Sequence, residues 1–166
     1  MKPRIRSAGR DDLPFLREML FHAVYWRAIN RGREPSIPQG LAAEGVMNAL
    51  NDWGRELGDC AILATDGDIP IGAAWYRLYK KDRAIRGYLD GKTPVLVLAV
   101  SPEYRYRGVG TALLARLSEL AADQGFARLS LMVSMDNPAL RLYRAAGFRP
   151  HLNTEDSILM VLDLPS

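Results

Sequence analysis

Hydrophobic residues recur at helical spacing in two long segments of the chain, residues 13–24 and residues 109–120. The second segment is followed by Gly125, which suits the left-handed residue that often ends a helix. The pattern therefore predicts one helix that runs from residue 13 to about residue 27 and another helix over residues 108–124.

Continuous apolar runs predict the strands of one sheet. Residues 60–65 and 69–79 flank the turn sequence Asp66-Gly67, which is typical of a β-hairpin. Residues 94–100 are almost entirely apolar, so we predict a central strand that is buried on both faces. Further strands are predicted over residues 4–7, 126–133 and 158–164, further helices over 41–53 and 138–146, and loops over 30–40 and around His151. This order of elements indicates a mixed α/β sheet with helices on its faces.

Length and composition indicate one globular unit. A chain of 166 residues has the size of a single domain, so we predict one domain over residues 1–166. Hydrophobic residues make up 48% of the chain and charged residues 25%, which excludes a disordered or collagen-like protein. The longest purely apolar run, residues 95–100, is far shorter than the ~18 residues needed to cross a bilayer. We therefore expect no membrane contact and a cytoplasmic location.

Charge and metal-ligand content narrow the chemistry further. The formal net charge of +3 is spread along the chain without a basic block, so we expect no nucleic-acid partner. Most of the cations are arginine, which favours a small anionic ligand. Cys60 cannot form an internal disulfide, and together with His22 and His151 it leaves too few ligands for a structural zinc site. No metal is expected.

The segment from residue 101 to residue 111 joins the predicted central strand to a predicted helix, and its composition is suited to an anion. Gly108 and Gly110 would let a phosphate approach the unpaired N–H groups of the helix start, and Arg105 and Arg107 would add positive charge there. Leu113 occupies the third glycine position of a dinucleotide-binding fingerprint, which excludes that motif. On the glycines alone, a tight strand-to-helix turn is an equally good interpretation.

Two motifs together resemble a known superfamily. Arg105-x-x-Gly108-x-Gly110 follows the central strand, and Asn137 lies six residues before Tyr143 in a segment that ends at Gly147-Phe148. This pair of motifs is similar to the GNAT superfamily of acetyl-CoA-dependent N-acetyltransferases. The resemblance implies a mixed, mostly antiparallel central sheet flanked by helices and split at the central strand to hold coenzyme A.

The resemblance also implies a set of residues that bind acetyl-CoA as the co-substrate. Many relatives have asparagine seven residues before the tyrosine, where this chain has Asp136, so either Asp136 or Asn137 could face the cofactor. The cofactor-binding residues implied by the resemblance are Leu98, Ala99, Val100, Arg105, Tyr106, Arg107, Gly108, Val109, Gly110, Thr111, Asn137 and Tyr143.

The implied reaction is direct transfer of an acetyl group to a primary amine within a ternary complex. Tyr143 would be the general acid, because a phenol with a pKa near ~10 is suited to protonate a thiolate leaving group. The base is left open between Glu103 and a water chain, since no carboxylate stands on the central strand. Considered alone, Tyr143 would be a packing residue and Glu103 a surface residue.

The acceptor is predicted to be a small amine that also carries an apolar group or a carboxylate. This expectation rests on aromatic and arginine side chains in the first helix, the loop after it and the third strand, namely Tyr25, Trp26, Arg31, Trp75 and Arg77. A peptide or protein acceptor is the alternative, weakened because Leu131 stands where relatives that act on ribosomal proteins often carry glutamate. A non-catalytic acyl-CoA-binding module is a further alternative, and the superfamily resemblance leaves a homodimer open.

Overall fold

A computed structural model describes residues 2–55 and 58–166 of the chain. Its strands are β1 (Arg4–Ser7), β2 (Cys60–Asp66), β3 (Ile69–Arg77), β4 (Val95–Val100), β5 (Arg128–Ser134), β6 (Arg149–Asn153) and β7 (Ser157–Asp163). Its helices are α1 (Leu13–Asn30), α2 (Ile37–Leu41), α3 (Val109–Asp123) and α4 (Leu140–Ala145). The strands form one seven-stranded sheet in the order β1-β2-β3-β4-β5-β7-β6. All neighbours are antiparallel except β4 and β5, which confirms the mixed, mostly antiparallel sheet.

Strands β4 and β5 separate soon after they meet. Within the described part of the chain, their ladder consists of the pair Val95 and Ser130, and the N–H of Ser130 donates to the carbonyl of Pro94 at 3.0 Å. Beyond this point β4 continues to Val100 beside β3 alone. The predicted split of the sheet at its central strand is therefore confirmed, and it opens toward the carboxyl ends of β4 and β5.

Each face of the sheet carries its own hydrophobic core. On one face, Leu16 and Met19 of α1 are fully buried and lie in one cluster with Trp75 of β3. On the other face, Leu113 and Leu117 of α3 are fully buried in a second cluster. The helical spacing of the apolar residues in α1 and α3 therefore reflects burial against opposite faces of one sheet.

The predicted helix over residues 41–53 is wrong. The structure instead forms the short helix α2, which begins after the cap residue Ser36, followed by turns and one 3-10 turn. Gly45 adopts a φ of +83°, which interrupts a right-handed helix. The carbonyls of Asn48 and Asn51 accept hydrogen bonds from the side chain of Arg77 instead of from helical N–H groups. A tertiary contact therefore replaces the local helix.

Three further boundaries differ from the sequence predictions. The first helix continues to Asn30, and β3 ends at Arg77 rather than at residue 79. His151 lies in the edge strand β6, not in a loop. All five residues of β6 are exposed, so this strand has no buried apolar pattern by which the sequence could reveal it.

Candidate active site

The divergence of β4 and β5 opens into a cleft of about 1050 Å³. The cleft is bounded by α1 and residues 44–46 on one face of the sheet and by α3 and α4 on the other. It therefore passes through the gap between the two strands and connects both faces. A volume of this order fits a cofactor together with a small second substrate.

The segment between β4 and α3 presents a row of backbone donors to the cleft. Tyr106 has a φ of +61° and Gly108 a φ of +85°, two left-handed conformations separated by one residue. No hydrogen bond within the described residues occupies the N–H groups from Tyr106 to Thr111. Such a curved run of free N–H groups at a helix start binds anions. Val109 contributes only its backbone to this surface, because its side chain is buried.

Side-chain contacts hold this segment in place. Arg105 Nε donates to the carbonyl of Val100 at 3.1 Å, and the guanidinium of Arg107 lies 5.5 Å from the centre of the Tyr104 ring. A Cβ atom at Gly110 would lie 3.0 Å from Leu142 Cδ2, so glycine allows α3 and α4 to approach each other beside the loop. The loop fits a diphosphate group: its donors come from the backbone and its arginines carry the counter-charge.

The edge of β4 that faces the gap offers free backbone groups. Ser101 donates its N–H to Ile71 of β3, and hydrogen-bonding direction alternates along a strand, so the backbone of Ala99 also faces β3. The backbone groups of Leu98 and the N–H of Val100 face the gap instead. An extended ligand arm could pair with them as a strand would. Leu98, Ala99 and Val100 were predicted to pair with the cofactor, but the backbone groups of Ala99 point toward β3 and away from the gap.

Tyr143 lies between the cleft and the core beside α3. It is 7% exposed, and its ring packs edge-on against Phe148 with 5.8 Å between ring centres. Its hydroxyl has no hydrogen-bond partner among the described residues, and Tyr143 lines the cleft. Burial raises the pKa of Tyr143 to about 12. The phenol is therefore protonated at neutral pH and can act as a donor.

The structure distinguishes Asn137 from Asp136. Asn137 lines the cleft, and its Oδ1 accepts the N–H of Ala139 at 2.9 Å, which shapes the turn before α4. Asp136 points to solvent and pairs with Arg27 of α1, with 2.6 Å between Oδ1 and Nη2. The hydrogen bond from Arg27 lowers the pKa of Asp136. This ion pair connects α1, which packs over β4, to the turn after β5, and neither of its side chains lines the cleft.

Helix α1 is kinked where it reaches the cleft. Tyr25 has non-helical dihedral angles inside α1, and its hydroxyl donates to the carbonyl of Gly40 at 2.7 Å. A Cβ atom at Gly40 would lie 2.8 Å from the Tyr25 ring, so glycine is needed for this close contact. The kink is followed by Trp26, which lines the cleft, whereas Arg31 is exposed at the end of α1. Tyr25 therefore holds α1 against α2 through Gly40 and does not itself line the cleft.

Of the five predicted acceptor residues only Trp26 lines the cleft, and two of the others, Trp75 and Arg77, are buried away from it. Trp75 is fully buried in the core beneath α1 and has no surface to offer a ligand. Arg77 is 4% exposed and forms an ion pair with Asp59, at 2.8 Å from Nε to Oδ1. Both residues belong to β3, and β4 lies between β3 and the gap that opens between β4 and β5. Neither side chain therefore reaches the gap. We therefore correct this part of the predicted acceptor site.

Sequence reasoning missed several polar residues that line the cleft, among them His22, Glu44 and Arg86. Burial lowers the pKa of His22, and the charge of Arg105 lowers it further, so the imidazole is neutral at neutral pH. Glu103 is exposed on the 3-10 turn after β4 and does not line the cleft. The spacing of three residues from Met19 would have placed His22 near the buried face of α1, but no local signal marks Glu44 or Arg86.

The segment over residues 84–87 forms the wall opposite α1. Ile85 packs against the same core as α1, so the segment lies on the α1 face of the sheet. The buried hydroxyl of Ser130 donates to the carbonyl of Gly87 at 2.7 Å. Gly87 has a φ of +103°, and a Cβ atom there would lie 3.0 Å from the backbone nitrogen of Met132. The backbone at Gly87 therefore lies directly on β5.

Replacing Gly87 with alanine is expected to destabilise the protein by about 2–4 kcal/mol, because the left-handed conformation is strained and the new methyl meets backbone atoms. The urea dependence of unfolding would measure this loss. Gly91→Ala is the matched control, since that position has open space around it and no positive φ. Equal stabilities of the two variants would contradict the close approach of Gly87 to β5.

The described residues contain neither a candidate metal-binding cluster nor a candidate membrane-spanning helix. No group of three or more potential metal-ligating side chains lies together in the described ranges 2–55 and 58–166. Within the same part of the chain, no helix combines the length and the apolar character needed to cross a membrane.

Comparisons with known proteins agree with this geometry. The chain is 48% identical to the mycothiol acetyltransferase of Clavibacter sepedonicus over 60 residues, which are 36% of this chain and only 20% of that protein. The structure of PaiA N-acetyltransferase from Thermoplasma acidophilum in complex with coenzyme A has a TM-score of 0.68, with 18% identity over 98% of this chain and 99% of that one. The ribosomal-protein-S18-alanine N-acetyltransferase from Escherichia coli has a TM-score of 0.67, with 21% identity over 99% and 96% of the two chains.

A family model covers most of the chain. The model of the acetyltransferase (GNAT) family matches residues 25–148, a range that extends from the kink in α1 to the end of the segment around Tyr143. The matched range includes the loop with free N–H groups, the open edge of β4 and Tyr143. The chain therefore belongs to the GNAT family of acetyltransferases.

Proposed function

We propose that this protein transfers the acetyl group of acetyl-CoA to a primary amine of a small molecule, directly, within a ternary complex. The observation that carries the proposal is the meeting of three features in one cleft. The loop with free N–H groups at Tyr106 to Thr111, the unpaired edge of β4 and the unpartnered hydroxyl of Tyr143 all line it. Family membership supports the same reaction.

The chain offers a separate set of groups for each part of the cofactor. The N–H groups of the loop and the charges of Arg105 and Arg107 would hold the diphosphate. The free backbone groups of Leu98 and the N–H of Val100 would pair with the pantetheine arm, and Asn137 would contact it from the opposite wall. When bound, acetyl-CoA supplies an activated acetyl thioester in the gap between β4 and β5.

Two proton movements are needed, and the cleft contains groups for both. Tyr143 keeps its proton at neutral pH and would donate it to the leaving sulfur. The amine must lose a proton before it attacks, and His22 and Glu44 are cleft-lining groups that can accept one, directly or through water. Because Glu103 lies outside the cleft, the mechanism does not include it.

The shape of the acceptor side favours a small molecule. The cleft holds about 1050 Å³ in all, so a bound cofactor would leave room for only a small acceptor. Leu131 lines the cleft without bringing a carboxylate to it. A peptide or protein amine remains the alternative acceptor, in keeping with the fold likeness to the ribosomal-protein-alanine enzyme.

The experiment that tests this function measures free thiol released from acetyl-CoA in the presence of amino acids, polyamines, aminoglycosides and short peptides. We expect turnover with at least one small amine and a mass increase of that amine by one acetyl group. Turnover restricted to peptides would favour the protein-acceptor alternative. Binding of coenzyme A in calorimetry without turnover of any acceptor would contradict catalysis and favour a non-catalytic module.

A further inference from the structure

The acceptor side of the cleft carries one acidic and one basic side chain on opposite walls. Glu44 follows α2 on the wall formed with α1, and Arg86 belongs to the segment over residues 84–87 that lies on β5. Both line the same cleft, on the face of the sheet opposite α3 and α4. Neither belongs to the loop that would hold the diphosphate, so their charges are available to the second substrate.

Arg86 is held in place while most of its donors stay free. Its Nη2 donates to Ser157 Oγ at 3.0 Å, and Ser157 is fully buried at the start of β7. No other hydrogen bond of this guanidinium is formed with the described residues. A guanidinium has five N–H donors in a planar fork, so the remaining ones can bind both oxygens of a carboxylate.

Apolar groups lie between the two charges. Val46 and Ile85 belong to the walls that carry Glu44 and Arg86, and Val97 of β4 lies at the floor. Trp26, after the kink of α1, completes the wall on the helix side. The lining of this one cleft therefore combines a negative group, a positive group and an apolar surface, the three features that an amino acid can contact.

We propose that the acceptor is a small amino acid, whose carboxylate binds Arg86, whose amino group lies beside Glu44 and whose apolar side chain contacts Val46 and Ile85. This inference rests on the proposed acetyl transfer and names the substrate class for it. Glu44 attracts the protonated amine into the cleft, and the attacking form arises there when the amine gives one proton to Glu44 or His22, directly or through water. Arg86 is a specificity-determining residue because it recognises a group that an amine without carboxylate lacks.

The test compares amino acids with the amines that remain when their carboxyl group is removed, such as leucine with isopentylamine and phenylalanine with phenethylamine. We expect wild-type kcat/KM to be about 10- to 100-fold higher for the amino acid of at least one pair, the range typical of a charge-assisted contact. Arg86→Leu is expected to remove this preference by lowering kcat/KM for the amino acid alone. The KM for acetyl-CoA should not change.

Arg83→Leu is the matched control, because Arg83 is exposed one turn earlier and does not line the cleft. Arg86→Lys keeps the charge but not the fork, and we expect it to recover only part of the preference. Equal use of both members of every pair, acetylation of peptides but not of free amino acids, or an unchanged preference in Arg86→Leu would each overturn the inference while acetyl transfer stands. A wild-type protein without turnover of any amine would instead contradict the proposed function.

Discussion

Replacing Tyr143 with phenylalanine is expected to lower kcat by about 100-fold or more, the range typical of a lost general acid. The substitution removes only the hydroxyl, and the ring can keep its packing against Phe148 in the core. Because this hydroxyl has no partner among the described residues, its loss leaves no buried group newly unpaired. We therefore expect stability to stay within about 0.5 kcal/mol of the wild type.

The electrostatic environment explains why Tyr143 can serve as an acid. Burial raises the pKa of Tyr143 to about 12, so the phenol keeps its proton across the neutral range. The same burial would raise the pKa of a thiol that leaves beside it, since desolvation disfavours every anion there. The two groups are therefore better matched in the cleft than their values in water indicate.

Steady-state thiol release and calorimetric binding of coenzyme A together test this role. We expect Tyr143→Phe to bind coenzyme A within about twofold of the wild type, because the hydroxyl acts on the leaving group and not on binding. Tyr79→Phe is the matched control: Tyr79 is also buried with an unpaired hydroxyl, but it lies outside the cleft. A Tyr143→Phe variant with wild-type kcat would exclude Tyr143 as the acid.

Replacing Arg77 with methionine is expected to destabilise the fold by about 3–5 kcal/mol, because it leaves a buried carboxylate without its cation. The side chain of Asp59 is 2% exposed and receives two hydrogen bonds from Arg77, both at 2.8 Å. The carbonyls of Asn48 and Asn51 lose their donor at the same time. Arg77 also lies 5.1 Å from the centre of the Trp53 ring, so the change loosens the whole segment before β2.

Urea unfolding of a double-mutant cycle measures this effect. We expect Arg77→Met combined with Asp59→Asn to be more stable than Arg77→Met alone, because the uncompensated charge is then gone. Glu119→Ala breaks an exposed ion pair with Arg116 and serves as the control, with an expected cost below about 1 kcal/mol. If Arg77→Met cost no more than this control, the buried pair would not anchor the segment.

Local features of the chain were predicted well from the sequence. The hairpin of β2 and β3, the central strand β4 and the helix α3 are each encoded in consecutive residues whose spacing reports which side is buried. The loop from Arg105 to Thr111 was also predicted as an anion-binding loop, because it uses backbone groups of neighbouring residues. Its role toward acetyl-CoA stays a prediction that the experiments above address.

Features that depend on distant segments were not predicted. The helix expected over residues 41–53 does not form: Gly45 and Asp52 adopt left-handed backbone conformations, and Arg77 of β3 donates hydrogen bonds to carbonyls of this segment. The edge strand β6 was missed because both of its faces are exposed and it lacks an apolar alternation. Arg77 lies more than 20 residues after the segment that it contacts, and β6 lacks the apolar pattern by which a strand is recognised.

The sequence by itself determined most strands and helices and the glycine-containing loop after β4, because each depends on spacing within a few residues, and the resemblance of its motifs to a known superfamily implied the split beside β4. Only the tertiary structure decided which side chains surround the acceptor. It buried Trp75 and Arg77, which the sequence favoured, and brought Glu44 and Arg86 to one cleft from separate segments. The physical reason is that the cleft wall is made of several segments that come together only when the chain folds. The spacing of residues within one segment carries no information about the residues of another.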